Sequence, residues 1–396
     1  MKPLASHPSP FLQPFAKGES LVKRVTIIMA LALTLLLPLT SLAAEDFPRL
    51  IHLSWQNDPS TTMTIMWRSQ PGAEALVEYG QDSNYTNSVT AETHSYRFGR
   101  TQVCWQIAEL TGLEPDTTYN YRLKTTEPWE SEAYTFKTAP MRGRESPFKF
   151  AVLSDVQGGY DNFRIALDKV KKEDVDFILY LGDFTRSSSQ QEYDLWLDCG
   201  RDIFHTLPLM SVRGNVDAAN YLDQFAFPGN ERWFSIDYGN VHFVFLSTML
   251  EAEVIEQRPW LHQDLEENDN PWIIAMAHKP AFGSASQNGP EQYIVDHWVD
   301  LFEEYGVDLY MNGHEHSYER TWPLKGGEIN EDGVVYLTVS CAGDEYYPAV
   351  RTWLTAAAEG LPCYMVFSVQ GAKLEAIAKG ILDDTILDQF ELELRN

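Results

Sequence analysis

The chain has 396 residues, of which 44% are hydrophobic and 13% aromatic. This composition excludes intrinsic disorder as the main state, and the length indicates two or three domains. Asp and Glu number 57 against 30 Lys and Arg, which gives a formal net charge of −27. Because a nucleic-acid-binding surface is basic, we do not expect so acidic a chain to bind nucleic acid.

The N-terminal segment has the pattern of a secretory signal peptide. A short basic stretch precedes an uncharged apolar run over residues 25–38, and small residues follow it. Cleavage after Ala43 fits an A-x-A-like site, so residues 1–43 are predicted to direct a secreted or periplasmic protein without a stable membrane span. The alternative is an uncleaved anchor, because residues 25–44 are just long enough to cross a bilayer.

The cysteines form no C-x-x-C pair, which excludes a zinc ribbon and a thioredoxin-like motif. Export would permit disulfides, and free thiols are the alternative in a chain of this size. The four are Cys104, Cys199, Cys341 and Cys363.

Residues 48–138 alternate between apolar and polar side chains in short runs separated by turn residues. This period of two is typical of the strands of an antiparallel sandwich. The stretch Leu110–Tyr121 contains the pattern L-x-G-L-x-P-x-T-x-Y, which resembles the tyrosine corner of fibronectin type III-like domains. We therefore predict a fibronectin III-like β-sandwich over residues 46–140. Its core would contain the aromatic side chains of Trp55, Trp67, Trp105 and Trp129.

From residue 148 onward, apolar runs rich in β-formers alternate with amphipathic stretches. Continuous apolar strands are typical of a sheet buried on both faces, which predicts a layered α/β or α+β domain. The apolar runs are 148–154, 177–181, 207–212, 241–247, 272–277, 307–311 and 334–340, and the amphipathic stretches are 161–173, 191–206, 259–268 and 293–305.

Five of the apolar runs end in polar groups that can bind metal ions. Each motif alone is common turn chemistry, but strand ends are where α/β folds gather active-site groups, and five in succession are not expected by chance. The groups are Asp155 and Gln157, Gly182-Asp183, Arg213-Gly214-Asn215-Val216-Asp217, His278, and Gly313-His314-Glu315-His316. We interpret the set as a metal site.

These motifs resemble those of the calcineurin-like metallophosphoesterase superfamily, whose pattern is D-x-[HG], GD, GN-H-[DE], H and GH-x-H. Among its branches the purple acid phosphatases are most similar. Their G-H-x-H-x-Y-E-R ending matches Gly313–Arg320, and they also place a fibronectin-like sandwich before the catalytic domain. The likeness covers residues 48–394. It implies an α+β protein with an αββα four-layer metallophosphoesterase domain over residues 148–395.

The resemblance further implies a secreted phosphoesterase with two metal ions, which activate a hydroxide for in-line attack on a small phosphorylated substrate. Imidazole, amide and carboxylate ligands suit iron, zinc or manganese. Carried over by position, Asp155 and His316 bind the first metal, Asn215, His278 and His314 bind the second, and Asp183 bridges both. The resemblance gives catalytic roles to Asp183, Asn215 and His314.

Three positions depart from the family pattern. Gln157 stands where relatives have His or Gly, and it is either a metal ligand or a hydrogen-bonding neighbour of one. Arg186 replaces the purple acid phosphatase tyrosine, which puts the ferric preference and the acid optimum in doubt and makes it a candidate for binding phosphate. Val216 replaces a histidine that stabilises charge or helps protonate the leaving group. Arg213 is either a residue that compensates for this loss or one partner of a structural ion pair.

Three hypotheses follow from the sequence. The leading one is a hydrolase of phosphate esters, either monoesters or diesters, since branches that lack the same histidine are often phosphodiesterases. The second is a non-catalytic protein that kept the site to bind metal or phosphate. The third is an adhesive or docking role for residues 48–138 beside either of the others. The sequence indicates no oligomeric state.

Overall fold

The computed structural model describes residues 47–125, 130–217, 219–284 and 288–395. The predicted signal peptide and Trp129 lie outside these residues. No helix in the described part of the chain is long and apolar enough to cross a membrane.

Two antiparallel four-stranded sheets form the N-terminal domain, in the orders β1-β2-β6-β5 and β4-β3-β7-β8. As the tyrosine-corner pattern predicts, the Tyr119 hydroxyl oxygen accepts a hydrogen bond from the Glu114 backbone N–H at 2.9 Å. The predicted core residues Trp55, Trp67 and Trp105 are buried. The strands are β1 Arg49–Ser54, β2 Met63–Arg68, β3 Ala75–Gly80, β4 Asn87–Thr90, β5 Glu92–Phe98, β6 Thr101–Leu110, β7 Thr118–Thr125 and β8 Tyr134–Lys137.

The first sheet of the second domain has six strands in the order β11-β10-β9-β21-β22-β23, with β9, β10 and β11 parallel. Two helices, α1 and α2, cover its outer face, where the Trp196 ring of α2 packs on Phe163 of α1 and on Tyr180 of β10. The elements are β9 Phe148–Leu153, α1 Tyr160–Val170, β10 Phe177–Tyr180, α2 Gln190–Cys199, β11 Leu209–Ser211, β21 Cys363–Gln370, β22 Lys373–Gly380 and β23 Ile386–Glu393.

The second sheet has seven strands in the order β12-β13-β14-β15-β19-β16-β20. Its inner face meets the first sheet, as the Phe150 and Phe243 rings show with centroids 5.3 Å apart. Its outer face packs with the apolar side chains of α3 and of the helical segment 292–305. The strands are β12 Phe234–Tyr238, β13 Val241–Phe245, β14 Trp272–Met276, β15 Leu309–Asn312, β16 Tyr318–Thr321, β19 Val335–Thr338 and β20 Thr355–Glu359.

Helix, sheet, sheet and helix thus form the four layers predicted for this domain, and the α+β fold class is confirmed. The remaining elements are a 3₁₀ turn at Ala219–Asp223, α3 Glu251–Glu267, α4 Gln292–Ile294, a π-helical turn at Val295–Val299, α5 Asp300–Tyr305, and the hairpin strands β17 Leu324–Lys325 and β18 Glu328–Ile329.

The predicted bounds of α3 were wrong at its start. The sequence favoured 259–268, whereas the helix begins at Glu251 and contains Pro259. The helix continues through the proline because one face is buried at helical spacing, and that burial outweighs the missing backbone hydrogen bond. The residues of this face are Val254, Gln257, Leu261 and Leu265.

The two domains share one hydrophobic cluster. The Trp55 ring of the sandwich lies 5.7 Å from Phe177 and 5.9 Å from Tyr238 of the second domain. The buried Arg68 guanidinium pairs with Asp194 on α2. Because these contacts are extensive and apolar, the sandwich forms part of the structural support of the second domain.

The four cysteines are free thiols. The sequence left disulfides and free thiols as alternatives, and the structure has free thiols.

Candidate metal centre

The candidate ligands lie where strands of the two facing sheets end. Since the sheets pack face to face with these ends on one side, six side chains that are far apart in sequence converge between the loops. Asp155, Asp183 and Asn215 follow β9, β10 and β11 of one sheet, and His278, His314 and His316 follow β14 and β15 of the other.

Asp155, Asp183 and His278 form the tightest part of this cluster. They are buried, and each offers a ligand atom within 4.8 Å of those of the others. His278 Nε2 lies 3.4 Å from Asp183 Oδ2, 3.0 Å from Asn215 Oδ1 and 3.3 Å from His314 Nδ1. Oxygen and imidazole nitrogen atoms at this spacing form a donor set for zinc, manganese or iron.

Backbone carbonyls fix which nitrogen of two histidines is available. His278 Nδ1 lies 2.8 Å from the Leu181 carbonyl oxygen, and His316 Nδ1 lies 2.6 Å from that of Glu345. Since a carbonyl only accepts, each Nδ1 carries the proton and each Nε2 of the neutral ring presents its lone pair to the cluster. This outer hydrogen bond is the usual arrangement of a metal-binding histidine.

One carboxylate oxygen of Asp155 also fits the interpretation of the cluster as a metal site. Oδ2 accepts hydrogen bonds from Ser154 Oγ and from the His314 backbone N–H, whereas the buried Oδ1 accepts none among the described residues. His316 Nε2 lies 3.4 Å from Oδ1. A buried carboxylate oxygen without a donor is costly, and a cation beside it would remove that cost.

The backbone adopts unusual conformations at the ligands. Asp155, Asp183 and His314 have φ values of 50°, 57° and 72°, in the left-handed region that residues other than glycine rarely adopt. Gly313 permits close approach, because a Cβ there would lie 2.0 Å from Ser154 Oγ and 2.3 Å from Asp155 Oδ2. Strain of this kind concentrates at functional sites.

Asp217 is a buried carboxylate behind the cluster that the sequence interpretation gave no role. Its Oδ2 accepts hydrogen bonds from the backbone N–H groups of Asp183 at 2.9 Å and Gly214 at 3.0 Å. Burial and the neighbouring Asp183 charge raise its pKa to about 7. Its signal in the sequence was the acidic position of the GN-H-[DE] pattern, two residues after Asn215.

His278 and His314, at the centre of the cluster, have pKa values that are shifted in opposite directions. Burial lowers the pKa of His278, but the carboxylates of Asp183 and Asp155 outweigh burial and raise it to about 9. Burial and the nearby His278 lower the pKa of His314 to about 4. The pKa values of these neighbouring imidazoles thus shift in opposite directions, and the carboxylates favour positive charge at His278.

The three residues that depart from the family pattern, and Arg213, have distinct environments. The Gln157 side-chain amide donates to Asp183 Oδ2. The Arg186 side chain is 60% exposed and its guanidinium lies 3.6 Å from Glu345 Oε2. Arg213 Nε donates to the Asp217 backbone carbonyl at 2.7 Å. The Val216 backbone N–H donates to Asp183 Oδ1 at 3.0 Å.

A small cavity of about 210 Å³ opens over the cluster. It is lined by Gln157, Asp183, Asn215, Asn288, His314, His316, Glu345 and Tyr347. Sequence interpretation missed the last two and Asn288, because they lie on loops without a recognisable motif.

Comparison with known proteins identifies the same two parts of the chain. A family profile described as calcineurin-like phosphoesterase matches residues 148–318, and one described as the N-terminal domain of purple acid phosphatase matches residues 48–138. Acid phosphatase type 7 of Mus musculus is 28% identical over 76% of this chain and 80% of its own length. The protein of that name from Homo sapiens is 27% identical over the same shares.

Solved structures show the same fold. Purple acid phosphatase PPD1 from yellow lupin seeds superposes with a TM-score of 0.75 at 20% identity, over 87% of this chain and 74% of its own. PhoD superposes with a TM-score of 0.65 at 13% identity, over 88% of this chain and 91% of its own. The two profile matches and these relatives identify the chain as purple acid phosphatase-like, with a calcineurin-like phosphoesterase domain that matches residues 148–318.

Proposed function

We propose that the chain is a secreted hydrolase of phosphate esters whose active site is a dinuclear metal centre in this cavity. The observation that carries the proposal is the convergence of imidazole Nε2 atoms, set by backbone carbonyls, on the carboxylate and amide oxygens of other strand ends. We also propose residues 1–43 as the signal peptide, 46–140 as the sandwich domain and 148–395 as the catalytic domain.

In this proposal Asp155 and His316 would hold one metal ion, Asn215, His278 and His314 would hold the other, and Asp183 would contribute to both. When bound, the metal ions supply Lewis acidity that activates water and offsets charge on the phosphoryl oxygens. We propose that Gln157, whose amide donates to Asp183, orients that carboxylate rather than binding metal.

The chain's own residues bind and orient the ester. Asn215 and His314 face the cavity and would contact phosphoryl oxygens as well as metal. Arg186 stands at the rim, where its guanidinium can reach a phosphate, whereas Arg213 is held by the Asp217 carbonyl and is better explained as a structural residue. Because the Val216 side chain cannot donate a proton to the leaving group, esters with poor leaving groups should react slowly.

A non-catalytic metal-binding or phosphate-binding role is the second candidate, and Val216 is the observation that favours it. An independent docking role for the sandwich has less support, because its Trp55 is buried against the second domain.

The test is metal-dependent turnover. The purified chain is stripped with a chelator, reloaded with manganese, zinc or iron, and assayed with chromogenic monoester and diester substrates. We expect turnover to disappear on stripping and to return on reloading. Metal uptake without turnover of either ester would support the second candidate and contradict the first.

A further inference from the structure

The cavity wall carries negative charge from the protein and no lysine or arginine. Of its lining residues, Asp183 and Glu345 are carboxylates, and none in the described part of the chain is Lys or Arg. The proposed metal ligands account for Asp183. Glu345 has no such role, so its presence at a site for phosphate needs another explanation.

Glu345 belongs to a loop fixed to one of the proposed ligands. His316 donates from Nδ1 to the Glu345 carbonyl at 2.6 Å, and the Tyr347 backbone N–H donates to the His316 carbonyl at 3.0 Å. The Tyr347 ring stacks on the His316 ring with centroids 5.4 Å apart, and its hydroxyl donates to Glu345 Oε1 at 2.9 Å. Two hydrogen bonds and a ring contact therefore attach this loop to His316, and the Tyr347 hydroxyl holds the Glu345 carboxylate at the cavity.

The nearby cations are engaged with carboxylates or carbonyls. Arg186 lies 3.6 Å from Glu345 Oε2, and Lys279 pairs with Glu291. Arg213 donates to a backbone carbonyl. Besides Arg186, whose side chain is 60% exposed, positive charge for a phosphate would thus come from the metal ions, while Glu345 opposes the approach of negative charge.

We infer that Glu345 is a specificity-determining residue that favours singly charged phosphodiesters over doubly charged monoesters. The inference rests on the proposed function and narrows its substrate class. A monoester carries close to two negative charges at neutral pH, whereas a diester has no second ionisable oxygen and keeps one. A fixed carboxylate in the wall repels the dianion more strongly than the monoanion.

The test compares 4-nitrophenyl phosphate with bis(4-nitrophenyl) phosphate, which share a leaving group. In Glu345→Gln, the ratio of kcat/KM for the diester to that for the monoester should fall about threefold to tenfold, the size expected for one unit charge near a solvent-accessible site. Arg186→Gln should raise the same ratio. Glu391→Gln is the matched control, because Glu391 is 50% exposed, pairs with Lys373 and lies on β23.

Binding of inorganic phosphate gives a second measurement that does not depend on turnover. At pH values above the second pKa of phosphate, Glu345→Gln should bind phosphate more tightly than the unaltered protein. At pH values below it, the gain in phosphate affinity should be smaller. Unchanged ester ratios and unchanged phosphate affinities in Glu345→Gln would overturn the inference. Absence of turnover by the reloaded, unaltered protein would instead count against the proposed function, and phosphate binding would still decide the role of Glu345.

Discussion

The Asp217 carboxylate accepts the backbone N–H of Asp183 at 2.9 Å, so a buried acid of one motif fixes the backbone of the aspartate in another. The same carboxylate also accepts from Gly214 and Phe184. Asp217 thereby holds together the loops after β10 and β11, on which two proposed ligands lie.

Replacing Asp217 by Asn should weaken metal binding without unfolding the protein. The amide keeps the shape of the side chain but loses one acceptor oxygen, and loss of an outer partner of a ligand typically costs about 10-fold to 100-fold in metal affinity. Metal titration of the stripped variant measures the effect. Asp161→Asn, at a side chain that is 99% exposed, is the control. Equal affinities in the two variants would contradict this role.

Gly214→Ala should disrupt the site. A Cβ at Gly214 would lie 2.0 Å from the Asp183 backbone nitrogen and 2.1 Å from Asp183 Oδ1, so the ligand loop must move. We expect loss of bound metal, measured by plasma mass spectrometry. Gly229→Ala provides the comparison, because its φ of 62° is strained but no atom lies within 4 Å of the added Cβ. The account is wrong if Gly214→Ala retains its full metal content.

The two domains should unfold in one transition. Trp55 is fully buried between the sandwich and the second domain, and its removal to Ala should cost about 3–5 kcal/mol of the free energy of unfolding. Denaturant unfolding followed by fluorescence and by circular dichroism measures both claims. Phe98→Ala, at a sandwich aromatic that is 40% exposed, should change little. Two separated transitions in the unaltered protein would mean that the sandwich is an independent module.

Stability should fall in alkaline solution because of His242. This side chain is 6% exposed, and its ring nitrogens lie 2.8 Å from Asp237 and 3.0 Å from Asp264. Burial alone lowers the pKa of His242, but the two carboxylates outweigh burial and raise it from 6.5 to about 9. Because the folded pKa is raised, the stabilisation is fully present below 6.5 and is lost as the pH rises through about 9.

Thermal unfolding across this pH range measures the effect. The unaltered protein should lose on the order of 3 kcal/mol of the free energy of unfolding because of this histidine. In His242→Gln this contribution to the decrease of stability with pH should be absent. The same slope in both proteins would refute the assignment.

The sequence predicted the parts of the site that depend on strand ends. The apolar runs placed Asp155, Asp183 and His278 after buried strands, and the facing sheets bring them within 4.8 Å of one another. Periodicity was less informative at α3, where the predicted stretch began at residue 259, whereas the helix begins at Glu251 because one of its faces is buried.

Residues held by tertiary contacts could not be predicted in the same way. Glu345 and Tyr347 reach the cavity because their loop is hydrogen-bonded to His316, a relationship between segments separated in sequence. Asn288 reaches it because its backbone N–H donates to the buried Glu315 carboxylate at 2.7 Å. Neither contact leaves a periodic or compositional pattern.

In the proposed site Asp183 would contribute to the binding of both metal ions. The most direct measurement is the metal content per chain of the unaltered protein and of Asp183→Asn after reloading, with circular dichroism to show that both are folded. We expect two metal ions per chain in the unaltered protein and a clear loss in Asp183→Asn. Two ions per chain in the folded variant would contradict the proposed role of Asp183.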